Sequence, residues 1–264
     1  MAVTVMTGFL PVLKKKNKAK MSSYNHFASV YDELTENVDY KKRFEYMMSF
    51  FNDFSISAPS KVLDLACGTG NFSVLFSNAG YNVTGIDAST EMLTVAETKC
   101  SGKVDLRRGD MRSFELAEKY DACICCLDSL NHLPSIDDVQ STFECVHDSL
   151  KTGGLFIFDV NTIYKHNKIL SDQTFVFDCE NYFLSWDNEY ISDGEVEIFL
   201  DLFTKEKDGR YSRYLENFKE KAYTSEALKK LLKPHFDIVG IFDDMTRNEP
   251  NNASERLYFV CRSK

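Results

Sequence analysis

The stretch "KVLDLACGTGN", Lys61 to Asn71, constrains the fold more than any other part of the chain. An apolar run carrying one acid ends in two glycines one residue apart, and helical spacing follows. A glycine turn between a strand and a helix presents backbone N–H groups at the helix N-terminus and suits a nucleotide-like ligand. Two common versions of that motif are absent. Gly68-Thr69-Gly70 is followed by Asn71, Phe72 and Ser73, so the third glycine of a dinucleotide fingerprint is missing, and there is no Gly-Lys-Ser/Thr of a phosphate loop.

The surrounding pattern alternates. The spacing predicts a helix over Tyr40 to Phe54, a strand over Lys61 to Ala66, a helix over Asn71 to Asn78 and a strand over Tyr81 to Ile86. It then predicts a helix from Asp87 to Cys100, strands at Lys103 to Arg108 and Tyr120 to Cys126, a helix at Ser135 to Leu150 and a strand at Leu155 to Val160. Strands separated by helices of this length make βαβ units and a mainly parallel, doubly wound sheet. From Thr174 to about Glu220 the period changes to two, as in "EVEIFLDLF", with Asp-Gly pairs at 193–194 and 208–209. That is antiparallel patterning with hairpin turns. A helix over Ser225 to Lys233 and strands at His235 to Phe242 and Glu255 to Cys261 close the chain. The expected fold is therefore α/β, a Rossmann-like sheet interrupted by an inserted antiparallel sheet at 172–222, with the main domain formed by 21–171 and 223–264.

Composition excludes several classes. No apolar run approaches the roughly 18 to 20 residues of a membrane span. A net charge of −9 argues against an electrostatic hold on a nucleic-acid backbone. The eight cysteines do not form a small secreted framework, which points to reduced thiols and the cytoplasm. "CICC", Cys123 to Cys126, lies in a strand where neighbouring side chains face opposite ways, so buried small hydrophobes are expected there and no metal site. Residues 1–20 place an apolar part before their charges, the reverse of a secretory signal. They read as a disordered basic tail, or as the product of a start upstream of a natural one at Met21.

Three acids flank the glycine turn, each in or after one of three successive strands. Asp64 either meets a cationic amine or caps the turn. Asp87, in "VTGIDAS", either accepts from both ribose hydroxyls or serves as the N-cap of its helix. Asp110, in "RRGDM", is placed to accept from an adenine amino group. Together they imply a ligand with a ribose, an adenine and a cationic amino-acid end.

"VLDLACGTGNFSVLF", "GYNVTGIDASTEML", "GDM" and "KTGGLFIFDVNT" resemble the successive motifs of class I S-adenosylmethionine-dependent methyltransferases over about Tyr24 to Lys264. The resemblance is to the bacterial small-molecule type with a β-sheet insert after the fifth strand. It implies that Gly68 and Gly70 contact the methionyl part, Asp87 the ribose, and Asp110 with the Met111 backbone the adenine. It extends the cofactor-binding set to Asp64, Ala66, Ala88, Met92 and Leu127, Ala66 standing where many members have glycine. In "SYNHFASVYDEL", Tyr24 and Tyr31 either shield the methionyl end or belong to an amphipathic helix packed on the core.

Methyl transfer from a sulfonium needs positioned reactants and, for many acceptors, removal of a proton. "CLDSLNHL" supplies Asp128, Ser129, Asn131 and His132 after the fourth strand, and His132 is the candidate base because an unperturbed imidazole titrates at about 6.5. The absence of an Asn/Asp-Pro-Pro-Tyr stretch favours a small-molecule acceptor over nucleic acid. A non-catalytic S-adenosylmethionine-binding partner protein is the alternative from a different class. Nine acids and no Lys or Arg between Asp172 and Asp201 suggest either a cation-attracting surface or a solvated strand face.

Overall fold

The computed structural model describes residues 4–5 and 24–264, with side chains from Phe27 onward except Ser29. In chain order the elements are β1 (Thr4–Val5), α1 (Tyr24–Leu34), α2 (Tyr40–Asp53), β2 (Lys61–Leu65), α3 (Asn71–Asn78), β3 (Asn82–Asp87), α4 (Thr90–Cys100), β4 (Asp105–Arg108) and β5 (Tyr120–Cys125). Then come α5 (Ile136–Ser149), β6 (Leu150–Asn161), β7 (Thr174–Asp178), β8 (Tyr182–Ser192), β9 (Glu195–Lys205), β10 (Tyr211–Lys221), α6 (Ser225–Leu232), β11 (Phe236–Asp243) and β12 (Arg256–Ser263).

One sheet has seven strands in the order β11-β12-β6-β5-β2-β3-β4. Strands β4, β3, β2, β5 and β6 pair in parallel, and β12 enters antiparallel between β6 and β11. The chain leaves β2 towards β3 and β4, then returns to the other side of β2 with β5. The order therefore reverses between β2 and β5, and the carboxyl ends there are where open α/β sheets bind ligands.

Both sheet faces are covered, which is why the strands are apolar almost throughout. Leu63, Leu65, Cys123, Cys125, Phe156 and Phe158 pack with Phe143 of α5 and Leu228 of α6. On the other face Val62, Ile124, Cys126 and Ile157 meet Phe50 and Phe51 of α2 and Phe76 of α3. The "CICC" thiols are thus divided between the two faces; none of the eight cysteines is in a disulfide, and no metal-binding cluster occurs among the described residues.

The helix expected to start at Asp87 begins three residues later. Ser89 is its N-cap, its side chain accepting from the Met92 N–H. Asp87 instead ends β3, so it is not the cap that one reading of the sequence allowed.

The second sheet is five-stranded, in the order β1-β7-β8-β9-β10, and antiparallel. Asp193-Gly194 joins β8 to β9 and Asp208-Gly209 lies between β9 and β10, with Gly194 at φ 75° and Gly209 at φ 84°. Val196, Ile198, Leu200 and Leu202 form its buried face with Tyr182 and Leu184, and this face packs on Phe27, Val30 and Leu34 of α1. Helix α1 thereby lies between the second sheet and α4. Thr4–Val5, within the segment expected to be a disordered tail, pairs with Phe175 and Val176; the rest of that segment lies outside the described residues.

The opposite face of β9 is not a one-signed surface. Arg213 donates to Asp201 at 2.7 Å, Lys219 lies 3.9 Å from Glu195, and Asn217 donates to Glu197 at 3.1 Å. These partners come from β10, which a count ending at Asp201 omits. On β9, Asp201 and Glu195 thus face cations across the strands, and Glu197 accepts from an amide.

Truncating Ile198, fully buried against α1, removes packing between the sheet and the helix. Ile198→Ala is expected to cost about 2 to 5 kcal/mol in chemical denaturation; a change below about 0.5 kcal/mol would contradict this packing.

Candidate functional site

The glycine turn after β2 is built from left-handed residues. Ala66 has φ 58°, Gly68 φ 54° and Gly70 φ 79°. An L-residue in this region costs about 1 to 2 kcal/mol, which explains why glycine suits the position of Ala66. The two glycines serve different ends. A Cβ on Gly68 meets nothing within 4 Å, leaving open space for a ligand, whereas a Cβ on Gly70 would lie 3.1 Å from both Ala96 Cβ and Cys100 Sγ of α4.

The carboxylate of Asp87 locks this turn to the end of β3. It accepts from Gly68 N–H and from Ser89 N–H, both at 2.8 Å. Burial pushes its carboxyl above the usual range, while the backbone donors and the His132 ring pull the other way. Ala88 is exposed and Met92 half-buried beside it.

Asp64 sits beneath the turn. It is buried and accepts from Ser73 Oγ at 2.5 Å. Burial raises its pKa to about 7, so its neutral form is favoured until near neutrality. Asp110 accepts from the Arg112 guanidinium at 2.9 Å, and Arg112 also reaches Asp138 at 3.1 Å. Donation by Arg112 pulls the Asp110 carboxyl below its usual range. Any further donor at Asp110 would share the carboxylate with the Arg112 guanidinium. Met111, next in the chain, packs against the core.

Helix α1 is fastened over the turn by Asp32. Thr69 Oγ1 donates to Asp32 Oδ1 at 2.7 Å, Asn71 Nδ2 at 3.0 Å, and Lys99 Nζ lies 2.7 Å from Oδ2. One residue earlier in that helix, Tyr31 is held among Tyr40, Asp128, Asp87 and Asp32, and burial drives its phenol pKa up. Tyr31 thus stands near the acids at the ends of β3 and β5; the side chain of Tyr24 lies outside the described residues.

Across the switch point, Leu127 (φ 57°) and Asp128 (φ 53°) are both left-handed. Asp159 of β6 holds this strained pair, accepting from their two N–H groups at 2.8 Å each. Arg256 of β12 donates to Asp159 and, at 2.6 Å, to Asp128. Burial opposes ionisation of Asp128, but Arg256 and Lys165 outweigh it and hold the carboxyl below its usual range.

The turn Ser129–His132 follows. Ser129 is bonded to Cys126 O at 2.8 Å, and Asn131 clips Asn161 N–H at 2.9 Å and Lys221 O at 3.0 Å. Three of the four polar residues proposed for this loop are therefore committed to the fold. His132 alone stays open, its side chain 48% exposed. Its ring lies 5.2 Å from that of Phe218 on β10. Asp32, Lys99, Asp159, Lys165, Glu220 and Arg256 were not singled out from sequence; Asp32 and Asp159 lie within stretches whose other residues drew the attention, and most of the six meet their partners only across long separations in the chain.

A carboxyl whose pKa is raised on folding contributes stability fully present below about pH 4 and lost as pH rises through about 7. The stability difference between Asp64→Asn and the parent protein should therefore grow in favour of the variant from pH 4 to 7 in urea titrations. A difference independent of pH would place the ionisable group elsewhere.

Comparison with known proteins agrees with this geometry. Residues 62–154 match a family described as "Methyltransferase domain". "Putative methyltransferase YqeM" of Bacillus subtilis (strain 168) is 34% identical over 244 residues, 90% of this chain and 96% of that protein. The crystal structure of an S-adenosylmethionine-dependent methyltransferase from Clostridium acetobutylicum ATCC 824 superposes with a TM-score of 0.82 at 32% identity, over 91% of this chain and 98% of that one. The sugar N-methyltransferase KedS8 from Streptoalloteichus sp ATCC 53650 shares the fold, with a TM-score of 0.75 at 16% identity over 97% of this chain and all of that one. With a turn open at Gly68, an acid fixed at the end of β3 and a helix closed over both, the chain belongs to the class I S-adenosylmethionine-dependent methyltransferases.

Proposed function

We propose that this methyltransferase acts on a nitrogen or oxygen atom of a small-molecule acceptor, with His132 receiving the acceptor's proton and the sheet at 172–222 capping the acceptor site. The observation that carries this reading is the position of His132. It follows the carboxyl end of β5, its field reaches Asp87 and Asp128, and its other side faces Phe218 and Glu220 of β10. An acceptor lying between the cofactor cleft and the second sheet would meet this ring first. KedS8, named a sugar N-methyltransferase, and the glycine/sarcosine N-methyltransferase of Aphanothece halophytica, 32% identical over 51% of this chain, make a small amine a reasonable first probe.

When bound, the cofactor supplies a methyl group on a positively charged sulfur. The chain's own contribution is placement and proton handling. The Gly68 turn and Asp87 hold the ribose and methionyl parts, and Tyr31 excludes water from above. Displacement at carbon requires the acceptor atom in line with the breaking bond, so most of the acceleration is assigned to positioning. The neutral imidazole of His132 takes the proton that the acceptor atom loses. Residues 21–171 with 223–264 form the cofactor-binding unit in this reading. No helix among the described residues is long and apolar enough to cross a membrane, and the free cysteines fit a reducing cytoplasm.

Incubation with a metabolite extract, followed by mass spectrometry, should yield S-adenosylhomocysteine and a product heavier by one methylene. A chain that retains the cofactor but releases no S-adenosylhomocysteine would be a binding partner. His132→Ala is expected to lower turnover about 100-fold while leaving cofactor affinity nearly unchanged. Equal turnover from pH 6 to 9 in variant and parent would remove the base assignment. Asp87→Ala should weaken S-adenosylmethionine by about 1 to 3 kcal/mol in calorimetry, and unchanged affinity would remove the ribose assignment.

A further inference from the structure

Beside His132 lies a buried polar group that the methyl-transfer reading has not used. The Glu220 side chain is 5% exposed and stands between two histidines: His132 Nε2 is 3.9 Å from Oε1, and His166 Nε2 is 3.5 Å from Oε2. His166 is fully buried in the six-residue π-helical turn Lys165–Leu170, and its Nδ1 lies 2.9 Å from Gly194 O.

A carbonyl only accepts, so His166 Nδ1 carries a proton. Its Nε2 has no hydrogen-bond partner and is aimed at the carboxyl group. Two lone pairs facing each other in a buried site would be unfavourable, so one further proton is shared between Nε2 and Glu220. His166 thereby fixes Glu220 from behind. The other oxygen, Oε1, is left towards His132, whose ring is steadied by Phe218. A base oriented by a third group is the general logic of an activated proton acceptor.

We propose that Glu220, held by His166, is a positioning residue for His132: it accepts from Nε2–H and leaves the Nδ1 lone pair to receive the acceptor's proton. The 3.9 Å separation exceeds a hydrogen bond and closes as the ring is fixed by cofactor and acceptor. The role rests on the reading of His132 as the base. Other charges share the setting. Lys165 faces both Glu220 and Asp128, Glu255 faces Lys165, Arg256 is engaged by Asp159 and Asp128, and Asp87 and Asp128 face His132.

The coupling itself is read without an acceptor, and turnover of His132→Ala on the metabolite extract separates it from the base reading. In protein labelled with 13C at glutamate carboxyls and saturated with S-adenosylhomocysteine, the Glu220 resonance should inflect at the pH where the His132 ring titrates. His132→Gln, at an exposed site, should abolish that inflection. In Glu220→Gln the His132 ring should titrate at lower pH by about 0.5 or more, since a facing carboxylate favours imidazolium, and Glu220→Asp should restore part of the difference. A merely structural carboxylate would leave the His132 titration unmoved. A Glu220 resonance indifferent to His132, alongside reduced turnover in His132→Ala, overturns the role of Glu220 and leaves the base reading standing. A coupled pair with full turnover in His132→Ala overturns the base reading and the role of Glu220 with it.

Discussion

The buried contact between Arg256 and Asp159 is the constraint around which the β5 side of the switch point is organised. Arg256 comes from β12, which enters antiparallel beside β6, and Asp159 is fully buried on β6. A buried ion pair contributes little net stability on its own, and removing one partner is costly because the other charge is stranded. Here the pair is completed by three further groups. The N–H groups of Leu127 and Asp128 donate to Asp159, and the Asp128 carboxylate receives the second arm of Arg256. The same contacts hold two consecutive left-handed residues in place, a conformation that persists only where surrounding structure over-determines it. The direction in which the chain leaves β5, and hence the position of His132, follows from that cluster.

A second polar knot closes the cofactor side. Asp32 gathers Thr69, Asn71 and Lys99, binding α1 to the glycine turn and to α4. The apolar face of the second sheet rests on the opposite side of α1 through Phe27, Val30 and Leu34. One helix thus links the placement of the second sheet to the glycine turn. This arrangement brings Tyr31 among the acids Asp32, Asp87 and Asp128.

The acids near the turn differ in what holds them. Asp87 accepts from two backbone N–H groups, Asp64 is buried against Ser73, and Asp110 is tied to Arg112. Their shared location at strand ends was legible because strand–turn–helix boundaries are local. Their separate surroundings were not. Arg112 is only two residues from Asp110, and that nearby partner was available to the sequence reading; the burial of Asp64 depends on packing against α3.

The sequence by itself determined the alternation of strands and helices, the glycine turn, the Asp-Gly hairpins and the family motifs, because each depends on residues within a few positions of one another. It also divided the "CICC" thiols between opposite faces, a consequence of the two-residue period of a strand. Tertiary structure decided which polar residues remain available for chemistry. Asn131 and Asp128 read alike with His132 in the sequence, yet the first is spent on Asn161 and Lys221 and the second on Arg256. Likewise the acids of β9 read as one-signed until β10 brought Arg213 and Lys219 across from them. Hydrogen-bond satisfaction and charge pairing are set by neighbours in space, and those neighbours are fixed only when the sheets have closed.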